Sequence, residues 1–337
     1  MLKGEGEICM YRLAFELKKQ RIVLGNLPFL GISYQGREKD REYRERFSDK
    51  FEMKRVMKVA LNYGVRFFAS SSHRFNELSM LHLEAVKEIE EEEETEISLI
   101  ACISIPLQIG GAKVNDYKRW KTHLVYESEK FGSTVLQRVL NDPILNFRPQ
   151  WRENLRNVRP YAATQLQKDL KVDWKNWEDS INRLADWRIA WIEPGSETDL
   201  LALSRSDLLG ELIDITRDAG YRCLLGSHHL GATVPLLEES RIWRFDGYVT
   251  PINKLGVMMF PTQREAERAA GEARSRGKIV IAIKPFAGGR IRPREALTYV
   301  FRKVKADACM MGVASVKEAE EDFEAARQVL TEKREEE

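Results

Sequence analysis

Short apolar runs alternate along this chain with amphipathic helical segments, and this alternation limits the possible folds more than any other feature. Eight runs have the length and composition of strands buried on both faces: 27–33, 65–71, 97–104, 188–194, 221–227, 245–251, 278–284 and 306–313. Helical patterns follow most of them, for example near 51–63, 76–90, 207–220 and 315–330. Buried strands joined by helices form parallel sheets. Eight such units predict an α/β fold, the closed parallel (β/α)8 TIM barrel.

Two segments stand outside this alternation. The segment 11–25, YRLAFELKKQRIVLG, alternates apolar and polar residues and has a polar break at 18–20, which predicts an N-terminal hairpin capping the bottom of the barrel. The segment 108–173 lies between the third strand and the fourth, and is far longer than the few residues of an ordinary connection. We interpret it as a mainly helical insertion at the mouth of the barrel, with a lid or specificity role.

Bulk composition excludes several classes of protein. The chain has 337 residues, which one barrel domain can accommodate, and a formal net charge of +2, which gives no strong overall field for nucleic acid or membrane. The apolar runs are too short to cross a bilayer, and the N-terminus lacks the pattern of a signal peptide. The four cysteines show no C-x-x-C spacing, so we expect buried thiols in a reducing, cytoplasmic environment.

Polar and ionisable residues collect where the predicted strands end. Parallel barrels carry their chemistry at these ends. The residues that we expect at the mouth are Ser33, Tyr34, Ser70, Ser71, Ser72, His73, Ser104, Glu193, Ser227, His228, His229, Thr250, Asn253, Lys254, Lys284, Gly312 and Ser315.

Glu193 and Lys284 are the most informative members of this set. Each ends a strand that is otherwise apolar, and a buried charge is costly unless it is paired or functional. We predict that they face each other across the mouth, either for proton transfer or as a structural ion pair. His228 and His229 are adjacent and should point to opposite sides, so at most one enters the site. The histidines show neither H-x-H nor H-x-x-x-H spacing, so no metal site is predicted.

The stretch KPFAGGRIRP after the seventh strand has the composition of an anion-binding loop. Gly288 and Gly289 would let backbone amides approach a phosphate, and Arg290 or Arg292 would add charge. Ser315 stands at the start of the last helix, where it is either part of the same subsite or simply the N-cap. The expected ligand is a small anionic or phosphorylated molecule.

The order of these motifs resembles the aldo-keto reductase superfamily. GVRFFASSSHRFNE looks like its second-strand motif, LLGSHH like its fifth-strand G-x-S-N, AIKPFAGGRI like its seventh strand and MMGVASVKEAEEDF like its eighth. The resemblance covers nearly the whole chain except the insertion. It implies the (β/α)8 fold, and a nicotinamide or adenine nucleotide bound at the mouth.

The positions that match the family's catalytic tetrad carry other residues. Its aspartate falls at Ala69, its tyrosine at Arg74 or a neighbour, its lysine near Ser104 and its histidine at Glu193, a replacement that also occurs in the family's steroid double-bond reductases. Tyr34 and His73 are the candidates to replace the missing acid. The predicted catalytic set is therefore Glu193, Lys284, His228, His73 and Tyr34.

The resemblance also implies cofactor residues. Ser227 matches the serine that holds the nicotinamide carboxamide, and Glu321 and Asp322 match the adenine-binding pair. The full predicted set is Ser227, Asn253, Gly288, Gly289, Arg290, Gly312, Ser315, Glu321 and Asp322. Glu318 stands where the family's arginine holds the 2′-phosphate, so NAD is expected over NADP.

Three functions remain open at this point. The first is a divergent aldo-keto-reductase-like oxidoreductase with a rearranged catalytic set. The second is a non-redox lyase, isomerase or hydrolase acting on a phosphorylated or carboxylated metabolite through Glu193, His228 and Lys284. The third is a non-catalytic binding protein whose basic, aromatic insertion engages a partner or RNA.

Overall fold

The apolar runs form eight parallel strands around a common interior. In the computed structural model, residues 13–72, 75–145 and 150–332 are described. The barrel strands are β1 (Ile22–Gly25), β2 (Phe67–Ser71), β3 (Ser98–Ile103), β7 (Ile189–Pro194), β8 (Leu224–Gly226), β9 (Gly247–Pro251), β10 (Ile279–Ile283) and β11 (Ala308–Gly312). Their order is β7-β3-β2-β1-β11-β10-β9-β8. A parallel bridge between Ile192 and Cys223 joins the two ends, so the barrel is nearly closed and the predicted fold is confirmed.

The start of the chain differs from the prediction. The first barrel strand is β1, which pairs with β2 and β11, and not the segment 27–33. That segment holds a 3₁₀ turn, Pro28–Leu30, because a proline cannot donate to a strand ladder and suits the first position of a helical turn. The predicted hairpin is also wrong over its described part: residues 13–20 form a helix, α1, whose Leu17 is buried in the barrel interior. Tyr11 and Arg12 lie outside the described residues.

Amphipathic helices cover the outside of the barrel. They are α2 (Arg37–Arg46), α3 (Lys50–Asn62), α4 (Leu78–Glu92), α9 (Trp174–Asn182), α10 (Thr198–Ser204), α11 (Ser206–Asp218), α12 (Leu230–Glu239), α13 (Gln263–Ser275), α14 (Pro293–Thr298), which continues as a π turn over Tyr299–Val304, and α15 (Val316–Glu332). In α13 the buried residues are alanines at helical spacing, Ala266, Ala269, Ala270 and Ala273. None of the described helices is long and apolar enough to cross a membrane.

The insertion is mainly helical, as predicted, with a small sheet at its base. Its helices are α5 (Asp116–Phe131), α6 (Thr134–Asn141), α7 (Trp151–Asn157) and α8 (Ala163–Asp169). The strands β4 (Leu107–Ile109), β5 (Ala112–Lys113) and β6 (Leu170–Val172) form an antiparallel sheet, in which β4 pairs with both β5 and β6. The β4–β6 pairing holds together the two points at which the insertion leaves and rejoins the barrel.

Aromatic side chains bind the insertion to loops that follow β9 and β10. Trp120 and Trp151 are buried in one cluster with Phe260 and Ile291 from those loops. Because these rings are buried, they anchor the insertion to the barrel and do not offer the exposed faces on which bases stack.

The barrel interior is a packed apolar column with polar residues above it. Alternate strand residues face inward, and Phe67, Ile100, Trp191, Leu224, Val249 and Ile281 belong to one buried interior cluster. Two residues after Ile100 and Trp191, on the same side of their strands, come Cys102 and Glu193. The packed column therefore closes the lower part of the pore. The candidate functional residues lie in the layer above Trp191.

Candidate functional site

Glu193 and Cys102 lie side by side at the mouth, on neighbouring strands. They are register partners in the β3–β7 pairing, so their side chains point the same way. The Cys102 thiol therefore lies beside the carboxyl group and acts to lower its pKa. Sequence reasoning placed Ser104 at this strand end, but Ser104 is exposed and it is Cys102 that faces the site. The alternation along β3, read from Ile100, is the signal that could have found Cys102.

The Glu193 carboxyl group is held in a protonated state at neutral pH. Burial raises its pKa to about 8, with the positive charge of Lys284 and the Cys102 hydrogen bond acting in the opposite direction. Gly226 makes room for this group, because a Cβ at that position would lie 2.8 Å from Glu193 Oε1. A carboxyl group with such a pKa can exchange protons near physiological pH.

Lys284 turns into the mouth and lies against His228 and Tyr34. Its Nζ is 3.4 Å from His228 Nε2 and 5.2 Å from the centre of the Tyr34 ring. A lysine ammonium can only donate, so in this contact His228 accepts at Nε2 and carries its proton on Nδ1. No ion pair within 4.0 Å joins Lys284 to Glu193 among the described residues, but the lysine charge acts on the pKa of Glu193.

Two of the contacting residues have unusual backbone conformations. Tyr34 and Lys284 both adopt left-handed geometry, with φ of 60° and 56°. Residues other than glycine are strained there, and such strain collects at functional sites. Four of the five predicted catalytic residues, Glu193, Lys284, His228 and Tyr34, thus lie at this end of the barrel. The fifth, His73, lies outside the described residues.

The predicted cofactor residues Ser227 and Asn253 are used within the protein. The Ser227 hydroxyl donates to Asp199 Oδ1 at 2.6 Å. Asn253 is fully buried, donates to the Val257 carbonyl and accepts from the Val257 amide, which closes the loop after β9.

The glycine loop after β10 folds onto the protein. Gly288 lets the loop approach the Tyr34 backbone, since a Cβ there would lie 3.0 Å from the Tyr34 carbonyl oxygen. Gly289 also has a positive φ, of 77°. The Arg290 guanidinium donates to the carbonyls of Ala287 and Gly288, so its charge stabilises its own loop.

The predicted adenine side of the cofactor site consists of helix-capping groups. Ser315 Oγ accepts from the Glu318 amide, and Glu318 Oε2 accepts from the Ala314 amide, which is a variant of the capping box at the start of α15. Gly312 packs against the Pro28 ring. Glu321 is exposed.

Asp322 is the buried member of the same predicted set. It is 4 % exposed, and burial, reinforced by Glu318 and Glu321, raises its pKa to about 8. The Asp322 carboxyl group therefore resembles Glu193 in its raised pKa, but it stands on α15 and not at a strand end.

Asp199 was missed by sequence reasoning, although it organises this end of the molecule. It is fully buried near the start of α10. It accepts from the hydroxyls of Ser227 and Thr233 and from the His228 amide. Asp199 therefore fixes the turn that carries both His228 and His229.

A second group of missed residues lies under the insertion. His123 and Glu127 are four residues apart on α5, so they share a face of that helix, and both lie against His229 at the start of α12. His229 Nδ1 is 2.8 Å from Glu127 Oε1, and the His123 and His229 rings stack at 4.3 Å. The H-x-x-x-E spacing in the insertion is the signal that could have found this group, because spacings between histidines alone do not reveal it.

One surface groove of the described residues lies away from this chemistry. A groove of about 520 Å³ lies at the opposite end of the barrel, between α1, α3 and α15, and is lined by Arg21, Tyr63 and Phe323 among others. It contains no member of the polar set at the mouth. We place the candidate site at the strand ends, because that is where the buried carboxyl group and the lysine converge.

Solved structures share the fold of this chain at low sequence identity. Two structures described as a "putative aldo-keto reductase" of Pseudomonas aeruginosa superpose with TM-scores of 0.51 and 0.52, at 15% identity, over 92% of this chain and 90% of theirs. The apo form of Gox0644 gives a TM-score of 0.44 at 10% identity, over 92% of this chain and 88% of that one. No protein-family model and no curated protein matches the chain. The two structures from Pseudomonas aeruginosa show a common fold and no more.

Proposed function

We propose that this chain is a non-redox enzyme that moves protons on a small carboxylated or phosphorylated metabolite, as an isomerase or lyase does. The observation that carries the proposal is Glu193, a buried carboxyl group with a pKa of about 8 at a strand end of the mouth. Perturbed carboxyl groups in such a position serve as general acids or bases. Lys284 and His228 provide the charge and hydrogen bonds for an anionic substrate.

Glu193 acts as the general base. In its ionised form it removes a proton from a carbon next to a carbonyl or carboxylate group of the substrate, and the electron pair of that C–H bond moves onto the substrate oxygen. The Lys284 ammonium stabilises the oxyanion that develops. The proton returns to a neighbouring carbon in an isomerisation, or a leaving group departs from that carbon in an elimination. Because only the ionised form accepts a proton, the rate should rise with pH up to about 8.

Several of the residues expected to bind a nucleotide make hydrogen bonds within the protein instead. Ser227 is bonded to Asp199, Asn253 to its own loop, and Glu318 to the backbone of Ala314. These positions are engaged by the fold, whereas Glu193, Lys284 and His228 face the mouth. This contrast favours the non-redox reaction over hydride transfer.

Solvent exchange of substrate C–H groups tests the proposal. Small carboxylates and phosphorylated ketones are incubated with the protein in D₂O, and loss of their proton signals is followed by NMR. We expect exchange by the wild type and a fall of at least about 100-fold for Glu193→Gln, in the range that general bases contribute. Asp322→Asn is the matched control, because Asp322 has a similarly raised pKa away from the mouth.

Binding of oxalate, a planar mimic of an enolate, provides a second measurement. Lys284→Met should weaken oxalate binding by about 10-fold or more, which is about 1.4 kcal/mol. Equal exchange by wild type and Glu193→Gln, together with equal oxalate binding by Lys284→Met, would contradict the proposal and favour a non-catalytic role.

A nicotinamide-dependent oxidoreductase is the second candidate. The observation in its favour is the Tyr34–Lys284 contact, which would give a carbonyl oxygen a hydroxyl donor beside a cation. Fluorescence titration with NADH and NADPH tests it, and binding of NADH that competes with oxalate would support it. Since Glu318 replaces the phosphate-binding arginine, NADH should bind more tightly than NADPH, and the reverse order would refute that alignment.

A further inference from the structure

We propose that His123, Glu127 and His229 form a divalent transition-metal site that fastens the insertion to the barrel. Two ligands come from α5 and the third from the start of α12, so a bound ion would join the insertion to a helix of the barrel wall. The ligand atoms all lie within 4.8 Å of one another, and the three side chains are buried. This site does not depend on the reaction proposed at the mouth.

Unsatisfied polar atoms are the strongest argument for a ligand here. Both ring nitrogens of His123, and Oε2 of Glu127, are buried without a hydrogen-bond partner. The backbone of Asp199 influences the pKa of His123, but it does not meet hydrogen-bond geometry. Each buried polar atom left unpaired costs about 1–3 kcal/mol. An ion that accepts one lone pair from each side chain would remove much of this cost.

The donor set selects the kind of ion. Two imidazole nitrogens and one carboxylate oxygen suit Zn²⁺, Co²⁺ or Ni²⁺, whereas Mg²⁺ and Ca²⁺ prefer oxygen donors throughout. Three protein ligands leave a fourth position for water. Trp120 and Phe260 pack on His229, with ring centres 4.8 and 5.4 Å away, and give the site an apolar wall.

The charges around the site permit a cation. Glu127 and Asp199 are the carboxyl groups that act on His229, and Arg119 is the opposing positive group. The Arg119 guanidinium donates to the Ser196 carbonyl and pairs with Asp116, so its charge is shared with other partners. Arg138 also acts on Glu127, but it donates to the carbonyls of Gly256 and Met259.

Binding requires a local rearrangement. Ligand atoms around a tetrahedral Zn²⁺ lie about 3.3 Å apart when the bonds are about 2.0 Å long, so the three side chains must close in on the ion. The stacked rings of His123 and His229 must also rotate, since their lone pairs lie in the ring planes. His229 exchanges its contact with Glu127 for the metal, and a proton held between the two groups is released.

Metal titration of the whole chain tests the site. After treatment with EDTA, the wild type is titrated with CoCl₂ and ZnCl₂ and followed by the visible absorption of four-coordinate Co²⁺, by calorimetry and by thermal unfolding. We expect one ion per chain, a higher unfolding temperature with metal, and weaker binding as the pH is lowered. His123→Leu and Glu127→Gln should each weaken binding by at least about 100-fold.

Matched variants keep the test decisive if a ligand variant folds poorly. His123→Leu should fold, because it replaces a buried side chain that makes no hydrogen bond with an apolar one. His82→Leu is the control, since His82 is also fully buried, stacks on Phe29 and has a pKa lowered to about 4 by burial. Absence of stoichiometric binding by the wild type, or equal binding by folded His123→Leu, would overturn the proposal.

Discussion

His228 and His229 are neighbours in the chain but belong to two different regions of the molecule. His228 points to the mouth, is half-buried and meets Lys284. His229 points under the insertion, is 2 % exposed and meets Glu127 and His123. The two side chains go to opposite sides of one turn, as adjacent residues on an extended segment do. Trp120 contacts both rings and stands between the regions.

The difference between the regions shows how the same residue type takes on different chemistry. At the mouth, a cation and a buried carboxyl group are arranged around the end of a packed pore, so a substrate can supply the missing partner. Under the insertion, the polar atoms are sealed by aromatic rings, so only a small ion or a proton can satisfy them. The first arrangement is suited to turnover and the second to holding two elements together.

Of the changes considered, removal of the Trp120 ring between the two regions should reduce stability the most. Its ring is 3 % exposed and packs against His229, Phe260 and Trp151, so Trp120→Ala leaves a large cavity between the regions. We expect the free energy of unfolding to fall by about 3–5 kcal/mol. Chemical denaturation measures it, and Trp243→Ala is the control, because Trp243 is 47% exposed. If the two variants lose the same stability, Trp120 does not seal the boundary.

Removing the Asp199 carboxylate should release both histidines from their common turn. Asp199→Ala leaves the hydroxyls of Ser227 and Thr233 and the His228 amide without their acceptor. We expect a loss of about 2–4 kcal/mol in unfolding free energy, together with weaker oxalate and metal binding.

Asp214→Asn is the comparison for Asp199→Ala. Asp214 pairs with Arg244 at the surface, and its side chain is 47% exposed, so its loss should cost under about 0.5 kcal/mol. An Asp199 variant that weakens only one of the two binding activities would show that the regions are held independently.

The sequence predicted the barrel better than it predicted the site. Strand and helix patterns are local, and so is the position of a residue at a strand end, which is why Glu193 and Lys284 could be placed. The segment 27–33 was wrongly predicted as a strand because buried apolar residues such as Phe29 and Leu30 occur in strands and in buried turns, so their sequence pattern does not distinguish the two. Glu127 and His229 are 102 residues apart, and their contact depends on how the insertion folds back, which no local pattern records. The hydrogen bonds that Ser227 and Asn253 make to their neighbours likewise could not be predicted from composition.

The pH dependence of stability separates the carboxyl group of the mouth from an ordinary one. The folded pKa of Glu193 is about 8 and its ordinary value is 4.5, so the folded state holds a proton that the unfolded state loses. The contribution of the protonated Glu193 carboxyl group to the free energy of unfolding is present in full below pH 4.5 and is lost as the pH rises through 8. Glu193→Gln should therefore match the wild type near pH 4.5 and be the more stable of the two above pH 8.

Asp322→Asn sharpens this test because its pKa is also raised to about 8. It should show the same direction of pH dependence in denaturant unfolding, without the loss of proton exchange expected for Glu193→Gln. If Glu193→Gln shows no gain in stability at high pH, the Glu193 carboxyl group ionises normally and the argument for a general base fails.

The smallest expected effect concerns the loop that was assigned to a nucleotide. Ser315→Ala removes the acceptor for the Glu318 amide at the start of α15, and should lower the unfolding free energy by about 1 kcal/mol, the usual value of an N-cap. Thr262→Ala is its match, since Thr262 accepts from the Glu265 amide at the start of α13. If capping is the whole role of Ser315, the two variants lose similar stability and neither changes NADH binding, measured by fluorescence. A selective loss of NADH affinity in Ser315→Ala would instead show that this loop belongs to the functional site. The site would then extend beyond Glu193, Lys284 and His228.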